Sequence, residues 1–432
     1  MENKNHKEKS IVVVGLWHLG SVYAASLAKM GFKVTGYDFN EKTIADLNEG
    51  TPPIFEPNLQ EYIKEYSNNL KFSFSCEVLK GADYVFITHD LTVDENDIVQ
   101  TEVLTKTFSE IAEYSRAETS IVISSQAPVG SSRQLVDMLK KKGITDPRVI
   151  CFPENLRLGT AFDSFLKPDR IIVGSDSEQA LEDFKKDLGF DCPIITMGLE
   201  SAEMVKHALN GYLATCISLS SELSDIAENV GADMNDVVKA LKSDRRVSQF
   251  APLSPGLGFA GGTLGRDVQS LRNISKKYGE EAKLMTSVYS VNQDRIPHLV
   301  SKIKTIYPDL RGMKIGILGL TYKANTNTLR RSMSLALASV LDGEGVDIRA
   351  YDPAIKETVA EAPYIQLSTN TKEFFTGLDM AVLMTDWQDF LKIDSGEVGA
   401  LMANAVIVDT KNFLDSVEYK KNRFKYFGVG IQ

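Results

Sequence analysis

The chain has 432 residues, of which 43% are hydrophobic and 25% are charged, the composition of a globular protein with about three domains. No apolar run reaches the ~18 residues of a membrane span, and residues 1–9 are polar, so we expect neither a membrane partner nor a signal peptide. The net charge of −10 argues against a nucleic-acid partner.

The first part of the chain alternates short apolar runs with helical patterns. Strands are predicted at 11–14, 32–37, 84–87, 120–123, 149–152 and 170–173. A turn over 15–20 is followed by a predicted helix over 21–30 that has small residues on its packing face. Repeated strand–helix–strand units predict a doubly wound parallel sheet of the Rossmann type over residues 1–198.

The pattern then becomes helical. Apolar residues recur at helical spacing over 201–230 without a proline, which predicts one helix about 45 Å long. Further helices are predicted at 234–241 and 282–295, giving a helical domain over 199–305. Because the long helix carries apolar residues on several faces, we expect it to lie between domains or between the subunits of a homodimer.

A second α/β unit occupies residues 306–432. Strands are predicted at 313–318, 346–351, 380–384 and 405–408, with a helix at 334–342. Like the first unit, it places a tyrosine and an aspartate at the end of its second strand. The predicted fold class is therefore α/β, with two Rossmann-like doubly wound parallel-sheet domains joined by a long central helix and a helical connector.

The turn after the first strand is a candidate cofactor site. It contains the first and third glycines of the GxGxxG dinucleotide fingerprint, but a tryptophan holds the middle position; its residues are Gly15, Leu16, Trp17, His18, Leu19 and Gly20. Asp38 ends the second strand, where a carboxylate accepts hydrogen bonds from a ribose diol and repels a 2′-phosphate. We predict NAD binding, with a purely structural turn as the alternative, and Trp17 could loosen the pyrophosphate.

Three further segments are candidates for substrate contact. The first, 153–159 followed by 168–170, lies at the carboxyl end of a strand, although a surface loop would have the same composition. Lys206 and Asn210 share one face of the long helix, where solvated side chains are equally common. Five glycines fall within 255–267, before a helix predicted to start near Asp267, which indicates a loop whose backbone closes on a ligand.

These motifs, in this order, resemble the UDP-glucose/GDP-mannose dehydrogenase family, the NAD-dependent nucleotide-sugar 6-dehydrogenases. The matching segments are 48–57, 127–130, 153–154, 168–170, 203–210, 258–267, 319–326, 351–353 and 385–387, with Arg330 and Ser332. The resemblance covers almost the whole chain. It implies NAD as cofactor, a nucleotide sugar as substrate (a UDP-sugar above all), a homodimer and a role in polysaccharide biosynthesis.

The resemblance also implies roles for individual residues. Lys206 and Asn210 would stabilise oxyanions, Asp267 would orient water, and Glu154 would be the acid near the reacting group. Arg330 would contact NAD, and Arg246 would reach the substrate across the dimer. The remaining implied substrate contacts are Leu156, Arg157, Gly258, Phe259 and Lys323.

The chain departs from the family pattern where the chemistry is concentrated. Thr263 stands where the family has the cysteine that captures the aldehyde as a thiohemiacetal, so Thr263 is the candidate catalytic residue at that position. Gln126 replaces a threonine that helps to hold the catalytic water, and Leu158 replaces a second glutamate. Residues 89–92 differ near the cofactor, and His89 there is expected to be a hydrogen-bonding or packing residue.

The four cysteines of the chain do not stand in for the missing one by position; they are Cys76, Cys151, Cys192 and Cys216. They form no CxxC motif, which is typical of a reduced cytoplasmic enzyme, and we expect no metal site. Cys216 lies about 15 Å along the helix from Lys206 and is expected to be a packed small hydrophobe.

The leading functional hypothesis is therefore two-electron oxidation of a nucleotide sugar, or redox epimerisation. A threonine hydroxyl ionises far less than a thiol and needs an adjacent base to attack a carbonyl. The alternatives are the four-electron 6-dehydrogenase reaction, in which Thr263 or a hydrated aldehyde serves the second step, and a non-catalytic nucleotide-sugar-binding protein.

Overall fold

The computed structural model of the chain describes residues 9–94, 98–153, 156 and 158–431. The chain divides into two compact units, Met1–Leu209 and Asn210–Gln432, which are described separately. The division into three domains at residues 198 and 305 stays a prediction.

The first unit is built on one sheet with strand order β3-β2-β1-β4-β5-β6-β7-β8. The strands are β1 (Ser10–Val14), β2 (Lys33–Tyr37), β3 (Leu70–Ser73), β4 (Tyr84–Ile87), β5 (Ser120–Ile123), β6 (Val149–Cys151), β7 (Ile171–Gly174) and β8 (Ile194–Met197). Strand β1 is the apolar run expected at the centre of such a sheet, and Ile11 to Val14 are buried because helices cover both faces.

One strand pair departs from the predicted all-parallel arrangement. Strand β7 runs antiparallel to β6, with Cys151 opposite Gly174, and β8 is parallel to β7. In the described part of the connection between β6 and β7 there is one helix, the six-residue α6 (Ala161–Leu166), and the chain reverses direction between the two strands. Parallel pairing would have required a crossover back to the start of β6.

The other helices of the first unit pack on the two faces of this sheet and form two apolar cores. They are α1 (His18–Lys29), α2 (Glu41–Asn48), α3 (Leu59–Glu65), α4 (Glu102–Tyr114), α5 (Ser131–Lys141) and α7 (Glu178–Leu188), with a 3-10 helix at Cys76–Gly81. Helix α1 begins three residues before the predicted start at residue 21, because the turn after β1 is only three residues long.

Helix α8 (Leu199–Val230) has 32 residues and confirms the long helix predicted over 201–230. It is followed by α9 (Met234–Ser243), α10 (Leu264–Lys277), α11 (Lys283–Gln293) and α12 (Arg295–Ile306). The helix predicted over 282–295 is α11, which ends two residues earlier, at Gln293. Helix α12 was not predicted, and Pro297 lies in its first turn, where a missing N–H is tolerated. Helix α10 starts three residues before the predicted position at Asp267.

The second unit contains a parallel sheet with strand order β11-β10-β9-β12-β13-β14. The strands are β9 (Lys314–Leu318), β10 (Asp347–Tyr351), β11 (Gln366–Leu367), β12 (Met380–Leu383), β13 (Val406–Asp409) and β14 (Lys425–Phe427). The remaining helices are α13 (Met333–Gly343), α14 (Thr371–Phe375), α15 (Ser395–Leu401) and α16 (Ser416–Lys421), with a 3-10 helix at Gln388–Lys392. Among the described residues, no helix is both long and apolar enough to cross a membrane.

Candidate active site

The turn between β1 and α1 needs glycine at two positions. Gly15 has φ +92°, and its N–H donates to the Tyr37 carbonyl at 2.9 Å. A Cβ on Gly15 would lie 2.5 Å from His89 Nδ1, and a Cβ on Gly20 would lie 1.8 Å from the Gly15 carbonyl oxygen. The two fingerprint glycines in this sequence are thus the two that the backbone requires.

Trp17 occupies the middle fingerprint position without backbone strain. Its φ is −76°, which any residue adopts, and its side chain is about half exposed. Helix α1 starts at the next residue, so the first N–H groups of the helix, which have no partner within it, point out of the turn. This arrangement fits the pyrophosphate of a dinucleotide.

Asp38 lies beside the turn, as the sequence predicts. Its carboxylate accepts the Leu16 N–H at 2.7 Å and the Asn40 N–H at 2.9 Å, one on each oxygen. The residue is partly exposed, and a carboxylate has about four lone-pair sites, so capacity remains for a ribose diol.

His89 contacts the other side of the same turn. Its Nε2 lies 2.8 Å from Thr107 Oγ1, and its ring stacks on Phe39 with centroids 5.8 Å apart. Burial lowers the pKa of His89 to about 4, while the Asp38 carboxylate acts weakly in the opposite direction. The ring is therefore neutral near pH 7 and a weak base, and it packs and hydrogen-bonds within the unit.

A small cavity in the first unit collects residues from three elements. Its lining residues include Ser125, Gln126, Cys151, Glu203, Lys206 and His207. Glu203 accepts the N–H groups of Gly130 at 2.6 Å and Ser132 at 2.7 Å, which fixes the segment after β5 against α8. Lys206 is on the next turn of α8 and lines the same cavity, at the carboxyl edge of the sheet.

Sequence reasoning did not place Cys151 in this cavity. The thiol lies at the end of β6, and burial together with the Glu203 carboxylate raises its pKa above the usual range for cysteine. A thiol held in its protonated form is a poor nucleophile. Cys216 is packed against Ala251 and Leu253, as expected for a small hydrophobe.

In the second unit, α8 and α10 bring Asn210 and Asp267 together. The Asn210 amide donates to the Asp267 carboxylate, and Asp267 is fully buried in the first turn of α10. Thr263 is the N-cap residue of α10; its side chain is exposed and does not cap the helix. Two of the residues predicted to be catalytic, fifty-seven positions apart, are thus hydrogen-bonded to each other.

The glycine-rich loop before α10 packs on the loop after β9. Asn292 anchors the loop through hydrogen bonds of 2.7 Å from the Phe259 N–H and 3.0 Å to the Phe259 carbonyl. A Cβ on Gly261 would lie 3.0 Å from the Tyr322 ring, and one on Gly262 would lie 4.0 Å from the Arg330 guanidinium carbon. The loop that carries Thr263 therefore lies against the segment that carries Lys323 and Arg330.

Gly258 shows why this loop is rich in glycine. Its φ is +83°, and an added Cβ would lie 2.3 Å from Asn292 Oδ1. Arg246, by contrast, pairs with Asp244 at 2.8 Å and leaves its side chain exposed. The structure of one chain therefore does not bring Arg246 to the glycine-rich loop.

Lys411 is a candidate site residue that sequence reasoning missed. It follows β13 at the carboxyl edge of the second sheet, and burial lowers its pKa in spite of the Asp386 and Asp409 carboxylates. A Cβ on Gly256 would lie 3.8 Å from the carbonyl of the neighbouring Thr410. The signal was available, because ligands of such sheets bind where the strands end.

Three predicted residues belong to the segment after β6. Glu154 and Arg157 lie outside the described residues. Leu156 is half-buried and lines a small apolar pocket with Tyr23 and Phe152.

Together, the glycine turn at a helix N-terminus, the aspartate beside it and the doubly wound sheet are typical of a dinucleotide-binding protein. Models of the UDP-glucose/GDP-mannose dehydrogenase family match along the chain: the NAD binding domain over residues 9–187, the central domain over 200–294 and the UDP binding domain over 316–416. The chain belongs to this family, whose members are NAD-dependent nucleotide-sugar dehydrogenases.

Individual relatives agree over the whole length. The chain is 30% identical to a UDP-glucose 6-dehydrogenase of Rickettsia felis, covering 98% of this chain and 96% of the relative. It is 31% identical to the UDP-glucose 6-dehydrogenase YwqF of Bacillus subtilis, covering 98% and 97%. Among solved structures, a UDP-glucose dehydrogenase of Pyrobaculum islandicum is similar with a TM-score of 0.88 at 25% identity, covering both chains fully.

Proposed function

We propose that this chain oxidises a UDP-sugar by two electrons, giving an aldehyde or ketone, or returns the hydride to invert a stereocentre. The observation that carries the proposal is the position of Thr263. It is the N-cap residue of the helix that holds Asp267, where the family's reaction needs a thiol. The apparatus for one hydride transfer remains, and the nucleophile for the second is replaced.

The chemistry of one transfer needs few groups. NAD held at the glycine turn would supply the acceptor for a hydride with both electrons of the carbon–hydrogen bond, and the hydroxyl proton of the sugar would leave to solvent. Negative charge develops on the substrate oxygen, and the Lys206 ammonium and the Asn210 amide are the groups we assign to stabilise it. Asp267 holds the Asn210 amide, since Asn210 donates to its buried carboxylate.

A second oxidation needs a covalent or hydrated intermediate. The thiohemiacetal route requires a thiolate, whereas an alcohol nucleophile requires an adjacent base. Cys151 lies in the cavity of Lys206, but its raised pKa keeps it protonated. The four-electron 6-dehydrogenase reaction nevertheless remains the second candidate, because full-length relatives are named UDP-glucose 6-dehydrogenases.

Product stoichiometry distinguishes these reactions. Purified protein is incubated with NAD and UDP-glucose or UDP-N-acetylglucosamine, with GDP- and CDP-sugars as controls, and products are identified by NMR. One NADH per carbonyl product, or an inverted sugar without net NADH, is expected. Two NADH and a uronic acid per sugar would support the four-electron reaction instead.

A substitution at Thr263 sharpens this test. The Thr263→Cys variant supplies the thiol, so the NADH released per sugar should rise from one toward two. The matched Thr263→Ser variant keeps a hydroxyl and should leave the stoichiometry at one. Equal stoichiometry in the wild type and both variants would show that residue 263 does not determine how many electrons are transferred.

A non-catalytic binding protein is the remaining alternative, and two features near the cofactor turn favour it. Trp17 holds a fingerprint glycine position, and the neutral His89 packs under the turn. Isothermal titration calorimetry separates the cases, because a UDP-sugar that binds while NAD does not would support this alternative.

The assembly we propose is a homodimer through α8 in the cytoplasm. Apolar side chains form an exposed stripe along this helix, each one or two turns from the next: Tyr212, Leu219, Ile226 and Val230. An exposed apolar stripe of this kind favours a dimer interface in which a second copy of the helix buries it. The four free cysteines fit a reducing compartment. Light scattering that gives a monomer mass would exclude the dimer.

A further inference from the structure

The inference concerns a buried carboxylate between the cofactor turn and the segment that follows Leu156. Glu56 lies in the loop between α2 and α3, and only about 1% of its side chain is exposed. Burying an ionised carboxylate is unfavourable unless donors surround it. Its partners therefore show what the residue holds in place.

The partners of Glu56 come from two separate segments. His18, the first residue of α1, places Nε2 2.9 Å from Glu56 Oε2. The N–H groups of Gly159 and Ala161 donate to Oε2 and Oε1, each at 2.9 Å. One side chain thus bridges the helix start at the predicted cofactor turn and the backbone at the end of the candidate substrate segment 153–159.

This contact gives the His18 side chain a role beside the NAD contact that the sequence predicts for the residue. As a residue of the cofactor turn it was expected to contact NAD, yet its ring is directed at Glu56 and only 16% of the side chain is exposed. The N–H groups of the same helical turn remain directed at the cofactor site. A ligand on those groups restrains the backbone of His18 and so restrains its ring.

We propose that Glu56 is a positioning residue that couples NAD binding to nucleotide-sugar binding. Occupation of the turn fixes His18, His18 fixes the Glu56 carboxylate, and the carboxylate orders Gly159 and Ala161. The proposal rests on the binding of both ligands, not on whether two or four electrons are transferred. Coupling of this kind is reciprocal, so each ligand strengthens the other by the same factor.

Calorimetry with NADH and UDP-glucose, a pair that cannot react by oxidation of the sugar, measures the coupling factor. The wild type should bind UDP-glucose about fivefold or more tightly when saturated with NADH. In Glu56→Gln and His18→Phe this factor should fall toward one, whereas His18→Gln, which keeps an N–H donor, should restore part of it.

Tyr84→Phe provides the matched control. It removes a partly buried hydrogen bond of 2.8 Å to Asp187 at the amino end of β4, in the same unit. A purely structural role for Glu56 would lower the melting temperature in both Glu56→Gln and Tyr84→Phe and leave both coupling factors unchanged. That result would overturn the proposal, as would a wild type that binds both ligands independently.

Hydrogen exchange tests the same link with NADH alone. NADH should slow amide exchange at residues 159–161 in the wild type and in Tyr84→Phe, but not in Glu56→Gln. Equal protection in all three proteins would overturn the proposal. Failure of UDP-glucose to bind the wild type would count against the proposed function and would leave the exchange result as the test of Glu56.

Discussion

The two α/β units contain the same turn and use it differently. Gly15 and Gly319 both have φ +92°, and each donates its N–H to the tyrosine that ends the next strand. In each unit the following aspartate, Asp38 or Asp352, accepts the N–H of the residue after the glycine at 2.7 Å. The local sequence pattern therefore produces the same local geometry twice.

The difference lies in what surrounds each aspartate. Asp38 is partly exposed beside a helix that starts at His18, whereas Asp352 is about 1% exposed and the next helix starts only at Met333. Asp352 also accepts hydrogen bonds from the Thr321 backbone and hydroxyl and from the Trp387 indole. Asp38 therefore keeps an exposed part that a ligand can reach, whereas Asp352 uses its hydrogen-bonding capacity within its own unit.

The largest effect is expected at Asp352. The Asp352→Ala variant leaves several buried donors without an acceptor, so the free energy of unfolding of the second unit should fall by at least about 3 kcal/mol. Urea unfolding in a Trp17→Phe background measures this, because Trp387 is then the only tryptophan. The Asp38→Ala variant should lose less free energy of unfolding; its unfolding is monitored through Trp17 in a Trp387→Phe background. Equal losses in the two variants would contradict the difference between the two aspartates.

Acidification should lower the free energy of unfolding of the first unit more than that of the second, by a smaller amount than the loss in Asp352→Ala. The residue packed against Gly15 is His89, whereas Thr385, which does not titrate, takes that place beside Gly319. The pKa of His89 is about 4 in the folded chain, compared with about 6.5 when unfolded, a difference of about 3 kcal/mol. Because the unfolded form binds the proton more readily, this stability is complete above pH 6.5 and is lost as the pH falls toward 4.

The same two single-tryptophan variants check the pH prediction. Urea unfolding between pH 7 and pH 4 should show this loss for Trp17 in the first unit. His89→Thr should reduce the loss in the first unit and leave the Trp387 transition unchanged. If the pH dependence persists in the His89→Thr variant, titratable groups other than His89 cause it.

Cofactor affinity should depend on Asp38 to a lesser extent. In Asp38→Ala the ribose diol loses a charged acceptor worth about 1.5–3 kcal/mol, so the Kd for NAD should rise about 10- to 100-fold. Calorimetry with NAD and NADP checks this, because removing the carboxylate should also bring the Kd values for the two cofactors closer together. An unchanged Kd would place the ribose elsewhere.

The smallest effect is expected at Trp17. Its φ of −76° does not require glycine, and its backbone N–H is available whatever the side chain is. The Trp17→Gly variant should therefore change the Kd for NAD by less than about tenfold, or about 1.4 kcal/mol. Gly20→Ala is the contrasting variant, since its Cβ would lie 1.8 Å from the Gly15 carbonyl oxygen and should abolish binding. A larger gain in NAD affinity in the Trp17→Gly variant would show that the indole obstructs the pyrophosphate.

Much of the fold could be predicted because its signals are local. Apolar runs of four or five residues such as 11–14 and 405–408 give the central strands, and helical periodicity gives α8. Helix α12 was not predicted, since it starts directly after Asp294 and carries Pro297 in its first turn. The direction of β7 was missed because periodicity does not encode which way a strand is paired.

The candidate site residues likewise fall into those that the sequence could place and those that it could not. Asp38 and the two fingerprint glycines could be placed from the sequence, since each acts within its own strand–turn–helix segment. The contact of Glu56 with His18 and Gly159 could not, because it joins positions 38 and 103 residues apart. Cys151 was likewise judged from its sequence position, although the fold brings it into the cavity of Lys206.

By itself, the sequence determined two dinucleotide-type turns, a long helix between them and a threonine where the family has a thiol. Tertiary structure alone decided which of two equivalent aspartates can meet a ligand. It also decided whether Cys151 ionises and which backbone the Glu56 carboxylate holds. The physical reason is that turn geometry depends on neighbouring residues, whereas burial and hydrogen-bond partners come from segments that are distant along the chain.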